Sequence, residues 1–289
     1  MDGIVSLKTS EGDYREPMFE ETELSTIPFV ASLEAAELLA ARECWRIPSR
    51  RSDDHLEAWS LPWFLQIERR RYARHGYWLP KMLELTKHRN DHILCFADGL
   101  GTDAVRYAEN GAEVTLCSDS QRQLHILQRH FNLRAVRGKL IESKNYQIPL
   151  ATHSIDMVYL GETALVAGLP VMIQEIYRVL KPGGKLLGIF PALYNAGYWK
   201  DHLIPWEYWF RPRNQIAIPL YSARQLRLLF HPFVEQRIFK RHLRRSDLPH
   251  LWRIFPLQIL ERLMGRFMII KALKPISAVN SLQAQLIQK

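Results

Sequence analysis

The sequence predicts an α/β protein built on a doubly wound, mostly parallel sheet, with helical and aromatic extensions at its two ends. Three observations carry that expectation. Short apolar runs alternate with helical segments from about residue 92 to 190, the signature of parallel strands joined by crossover helices. A Gly-x-Gly turn, Gly99-Leu-Gly101, stands where the first run passes into the first helix. The 289 residues, 47% hydrophobic and 24% charged, hold enough apolar material for a full-sized core.

The elements follow in chain order. Residues 1–30 mix acids with Pro17 and Pro28 and read as an arm lying on the surface or partly disordered. Leu33, Ala36, Leu39 and Ala40 keep a helical period after Ser32, a fitting N-cap, which predicts a helix over about 32–44, ended by Pro48. A second helix covers roughly 60–75, where Trp63, Ile67 and Tyr72 alternate with a basic run whose expected place is a solvated face. The core strands are His92–Ala97, Glu113–Cys117, Ile155–Leu160 and Lys185–Phe190, with helices at Thr102–Asn110, Gln121–Phe131 and Val171–Leu180 between them. Beyond Phe190 come an aromatic stretch over 194–210, a helix from Ser222, a basic segment at 237–245, a helix near 251–264, and a strand Phe267–Ala272 suited to extend the sheet at its far edge. The chain thus divides into an N-terminal arm and helical cap (1–90), an α/β core (91–192), and an aromatic lid with a sheet-completing segment (193–289).

Charge and composition exclude several classes. The net charge of +9 is uneven: residues 1–50 carry 5 Lys/Arg against 10 Asp/Glu, whereas 201–289 carry 15 against 5. A membrane span is not expected, because Asp156 and Glu162 break the longest weakly charged stretch. The acidic start after Met1 is the wrong charge for a targeting peptide, so the expected location is the cytoplasm. Cys44, Cys95 and Cys117 show neither disulfide nor zinc spacing and read as reduced, buried thiols. No His pair has ligand spacing, so no metal is expected. The basic segment reads as a solvated surface, and no nucleic-acid partner is expected.

The candidate ligand site is Ala97-Asp-Gly-Leu-Gly-Thr-Asp103. Two glycines at a strand-to-helix turn let the backbone approach a ligand beside a helix N-terminus, at the carboxyl edge of a parallel sheet. Ser118 and Asp119 close the second strand with hydroxyl and carboxylate groups where a ribose would lie. The run Gly99-Leu-Gly-Thr-Asp-Ala104, the entry Asn110-Gly-Ala-Glu-Val114 and the turn Leu180-Lys-Pro-Gly-Gly184 together resemble the class I S-adenosylmethionine-dependent methyltransferases, over about residues 90–192. The resemblance implies a Rossmann-like fold, a cofactor-binding core and S-adenosylmethionine as cofactor. It implies cofactor contacts at Ala97, Asp98, Gly99, Leu100, Gly101 and Thr102 for the methionine part, Ser118 and Asp119 for the ribose, Ser143 or Lys144 for the adenine, and Gly161 at the end of the fourth strand. Cys95 stands where that family has its first acid, and Ser118 where it has the ribose acid.

Two functions are open on this sequence. One is methyl transfer to a small, apolar or aromatic molecule, with Glu162 as base and Tyr72, Tyr194 and His202 near the substrate; each of these four also has a plain packing, capping or surface reading. The other is a methyltransferase-like binding or scaffold protein whose cofactor binding is weakened or lost.

Overall fold

A computed structural model describes residues 56–73, 76–96, 99–161, 168–203, 219–248 and 254–276, together with Trp252 and, near the N-terminus, Ala36, Leu38, Leu39, Ala40 and Glu43. Those five N-terminal positions are helical, within the span predicted at 32–44. Helix α1 (Leu61–Tyr72) starts on Ser60, whose hydroxyl accepts the Trp63 N–H, with a proline in the first turn. A short helix α2 (Leu79–Met82) leads to β1 (His92–Phe96). Then follow α3 (Thr102–Glu109), β2 (Glu113–Ser118), α4 (Gln121–Leu133), β3 (Lys139–Glu142), β4 (Ile155–Leu160), α5 (Leu169–Val179) and β5 (Leu180–Pro191). The C-terminal part holds α6 (Ala196–Leu203), α7 (Ala223–Leu229), β6 (Val234–Arg241), α8 (Leu257–Met264) and β7 (Phe267–Leu273).

The strands form one seven-stranded sheet in the order β3-β2-β1-β4-β5-β7-β6. β1 to β5 are parallel, and β7 and β6 add to it antiparallel, so the segment after the aromatic stretch completes the sheet as expected. Strand alternation splits the core in two. Ile93, Cys95, Met157, Tyr159, Leu187 and Ile189 pack on one face with Leu124, Leu127 and Phe131 of α4; Leu94, Phe96, Val158, Leu160, Leu186 and Phe190 pack on the other with Ile173 and Ile176 of α5. Both faces being buried explains the unbroken apolar runs of β1 and β4.

Two strands escape the sequence reading. β3 has four residues, two of them polar, too short for a periodic signal. β6 occupies most of the stretch read as a basic surface segment. It is an edge strand, none of its eight residues is fully buried, and its Arg237, Lys240 and Arg241 are the kind of charges that keep a free edge from pairing with other chains. The helix expected near 251–264 begins only at Leu257, because Pro256 disfavours helical backbone at the residue before it. Cys95 and Cys117 are free and buried, as expected. No helix among the described residues is long and apolar enough to cross a membrane.

Candidate functional site

The chain leaves β1 toward β2 and β3 on one side and returns through β4 on the other, so the crevice between the carboxyl ends of β1 and β4 is the switch point of the sheet. The glycine turn lies at that point. Gly101 caps α3 with φ 68° and ψ 23°, a left-handed conformation costly for any other residue, and a Cβ there would collide with Leu127. The loop is held from α4: the Gln123 side-chain amide donates to the Gly99 carbonyl, and His130 Nδ1–H donates to the Leu100 carbonyl at 2.6 Å. His130 is fully buried and stacks on Phe64 at 4.0 Å; burial lowers its pKa to about 4, so it is a neutral donor. Thr102, also buried, opens α3 with a hydroxyl that has no hydrogen-bond partner among the described residues.

The other expected site residues gather at the same edge. Gly161 donates its N–H to the Phe96 carbonyl at 3.2 Å, drawing the ends of β1 and β4 together, and a Cβ on it would stand 3.3 Å from that carbonyl. β2 ends at Ser118, whose hydroxyl accepts the Ser120 N–H at 3.2 Å; Asp119 lies exposed in the turn before α4, past the strand alternation. Ser143 follows β3, buried, with its N–H on the Ser118 carbonyl at 2.9 Å and its side chain against the Cys117 thiol, which burial pushes up to about 12. Lys144 is exposed at the same turn and reaches Glu142 at 3.7 Å. Ala97, Asp98 and Glu162 lie outside the described residues.

A family model described as a methyltransferase domain matches residues 94–188, which run from β1 to β5 and contain the whole glycine turn and switch point. Over these residues the chain is similar to that methyltransferase domain. A sterol 4-C-methyltransferase of Caenorhabditis elegans is 26% identical over 127 residues, 43% of this chain and 37% of that protein, so the match spans well under half of the nematode protein. In structure, the PH0226 protein of Pyrococcus horikoshii superposes with a TM-score of 0.50 at 16% identity, covering 70% of this chain and 92% of that one. A SAM dependent methyltransferase from Aquifex aeolicus covers 73% of this chain and 96% of its own, with 13% identity and a TM-score of 0.49.

β1 carries no acid, and Asp103, one loop later, is a buried one. Burial, and then the charge of Asp103, raise the Cys95 thiol far above its ordinary pKa, so β1 contributes no negative charge. Asp103, in the first turn of α3, is buried and accepts four hydrogen bonds: from Arg71 Nε at 2.9 Å and Nη2 at 2.5 Å, from the Tyr72 hydroxyl at 2.6 Å and from the Tyr159 hydroxyl at 2.5 Å. Burial alone would raise this carboxyl; the Arg71 charge and the donated hydrogen bonds outweigh it and hold the pKa below the usual carboxylate range. Arg71 also donates to the Glu43 carbonyl at 2.7 Å, and the Glu43 carboxylate stands over the glycine turn: a Cβ on Gly99 would lie 2.8 Å from its Oε2.

Arg71 therefore corrects the expectation of a solvated face for its basic run, and Tyr72 is a satisfied donor. Both carried a signal. Trp63, Phe64, Ile67 and Arg71 share one helical stripe, so the last is an arginine at a core-facing position, and Asp103 precedes the buried Tyr107 by four residues in the same way. Tyr194 stays 42% exposed, edge-on to Tyr198 at 5.1 Å. Among the described residues no group of His, Cys, Asp and Glu is placed to hold a metal ion.

Proposed function

We propose that the protein transfers the methyl group of S-adenosylmethionine to a small, apolar or aromatic acceptor. The observation that carries this reading is the glycine turn at the β1/β4 switch point, its carbonyls fixed by Gln123 and His130 and its Thr102 hydroxyl buried without a partner among the described residues. That cradle fits an amino-acid-bearing nucleoside: Gly99 to Thr102 take the methionine part, Glu43 over Gly99 takes its ammonium, Asp119 with Ser118 takes the ribose hydroxyls, and Ser143 lies toward the base. When bound, the cofactor supplies a methyl electrophile on a sulfonium. The chain's task is then to hold the acceptor in line and exclude water, which needs little covalent help. Glu162, next after Gly161, is the candidate to take a proton from the acceptor. The aromatic cluster Tyr194, Tyr198 and Trp199 beyond the end of β5 favours an apolar acceptor, as does the sterol named for the nematode relative.

The protonated Cys95 favours the second reading, a binding protein that keeps the fold with weakened cofactor affinity. Calorimetric titration with S-adenosylhomocysteine separates the two. Saturable heat is the expected result, and no heat at high micromolar ligand overturns the methyltransferase reading.

A further inference from the structure

Helix α8 is apolar on two sides. Its inner side, Leu257, Leu260 and Met264, packs on Leu243, Leu248 and Ala196. Its outer side and the turn before it present Ile254, Phe255, Ile259 and Leu263, exposed by 83%, 55%, 57% and 59%. Four large apolar side chains within ten residues are more than the single scattered ones of an ordinary surface. Among the described residues, the exposed charges beside them have one sign. Arg262 and Arg266 are exposed beside the stripe, and Lys240 reaches the helix end, donating to the Leu263 carbonyl at 2.8 Å. The three described acids of 219–276 are turned inward or paired locally. Glu261 accepts from the His242 N–H and lies 3.6 Å from Arg241, Asp247 accepts from the Arg244 N–H, and Glu235 lies 3.6 Å from Arg237.

The topology puts this stripe on the ligand side of the sheet. β7 runs antiparallel to β5, with Phe267 opposite Pro191, so α8 enters the sheet at the edge where the parallel strands end. Lys240 fixes the relation by bonding the Tyr194 carbonyl, just past β5, as well as that of Leu263. We propose that the Ile254–Leu263 stripe docks the protein on an anionic lipid surface, with the apolar side chains in the acyl boundary, Arg262 and Arg266 at the headgroups, and the ligand edge facing the bilayer. An apolar stripe with basic neighbours, and with no free acid among the described residues beside it, is the chemistry that such a surface recognises. The docking does not depend on the cofactor. Only its use, drawing an apolar acceptor directly from lipid, rests on the methyltransferase reading.

The test is flotation of the full chain with vesicles of phosphatidylcholine alone or mixed with phosphatidylglycerol, at low and high salt. Binding to the mixed vesicles is expected, with loss on added salt. Ile259→Ser/Leu263→Ser should weaken it by at least about tenfold, and Arg262→Gln/Arg266→Gln by a similar factor. These exposed changes should leave the thermal midpoint and the affinity for S-adenosylhomocysteine as they are. Absence of vesicle binding, or binding that the apolar pair does not alter, overturns the proposal. So does a dimer in gel filtration that Ile259→Ser/Leu263→Ser converts to monomer, since the stripe then belongs to a second copy, and so does tighter binding to duplex RNA than to the mixed vesicles. Vesicle binding without any heat from S-adenosylhomocysteine keeps the docking surface and removes only its proposed use.

Discussion

Arg71→Met should cost about 3 kcal/mol at neutral pH. The substitution keeps most of the side-chain volume but removes two hydrogen bonds to Asp103, at 2.9 and 2.5 Å, and one to the Glu43 carbonyl. Breaking one side of a buried ion pair costs about 3–5 kcal/mol, because the other charge is left in the interior. The Tyr72 and Tyr159 hydroxyls go on donating to Asp103, which places the cost at the lower end. The pH dependence has a definite sign. In the parent, the Asp103 carboxyl lies below its unfolded value, so its contribution is present above the unfolded pKa and fades as pH falls through the folded one. Without Arg71, burial dominates and raises the carboxyl above its unfolded value, so the penalty is full at neutral pH and shrinks toward about pH 4 as the group protonates. Urea unfolding at pH 7 and near pH 4.5 reads this directly, with a midpoint lower by about 1 M at pH 7. The double variant Arg71→Met/Asp103→Leu should cost clearly less than its two single variants together. A single-variant cost under about 1 kcal/mol, or an equal cost at both pH values, would refute the assignment of a buried ion pair.

Two further outcomes bear on the site itself. Asp119→Ala and Glu43→Gln should each weaken S-adenosylhomocysteine by about one to two powers of ten in calorimetry, as the loss of a charge-assisted hydrogen bond of about 1.5–3 kcal/mol requires. Only Asp119→Ala should also weaken 5′-methylthioadenosine, which lacks the amino-acid part. His130, with a pKa lowered to about 4, binds its proton more weakly folded than unfolded, so the parent should lose stability as pH falls from about 6.5 to 4. In His130→Gln the slope of stability against pH in that window should fall by about 1.4 kcal/mol per pH unit, and parallel slopes would show that His130 is not the titrating group.

The alternation of strands and helices, the glycine turn and the strand β7 that joins β5 were legible in the chain because each is a short-range pattern. Buried parallel strands need unbroken apolar runs, a left-handed cap needs glycine, and the strand-to-helix turn keeps both within a few residues. Gly99 to Thr102, Ser118 and Asp119 can be named as candidates for the same reason, while Ser143 and Gly161 come as candidates from the family resemblance. β6 was hidden because an edge strand buries little and so keeps little alternation.

Tertiary structure alone decided which groups meet. Arg71 and Asp103 are 32 residues apart, Tyr159 and Asp103 are 56 apart, and Glu43 reaches Gly99 from a helix outside the core. Helical period shows that an arginine and an aspartate face inward, but not that they face each other; that is fixed by how α1 packs against α4 and the start of α3. The side of the molecule on which the α8 stripe emerges was likewise decided in the fold, by the antiparallel register of β7 on β5. Sequence determines periods and turns because they follow from local backbone geometry, whereas the pairing of distant charges follows from the packing of whole elements.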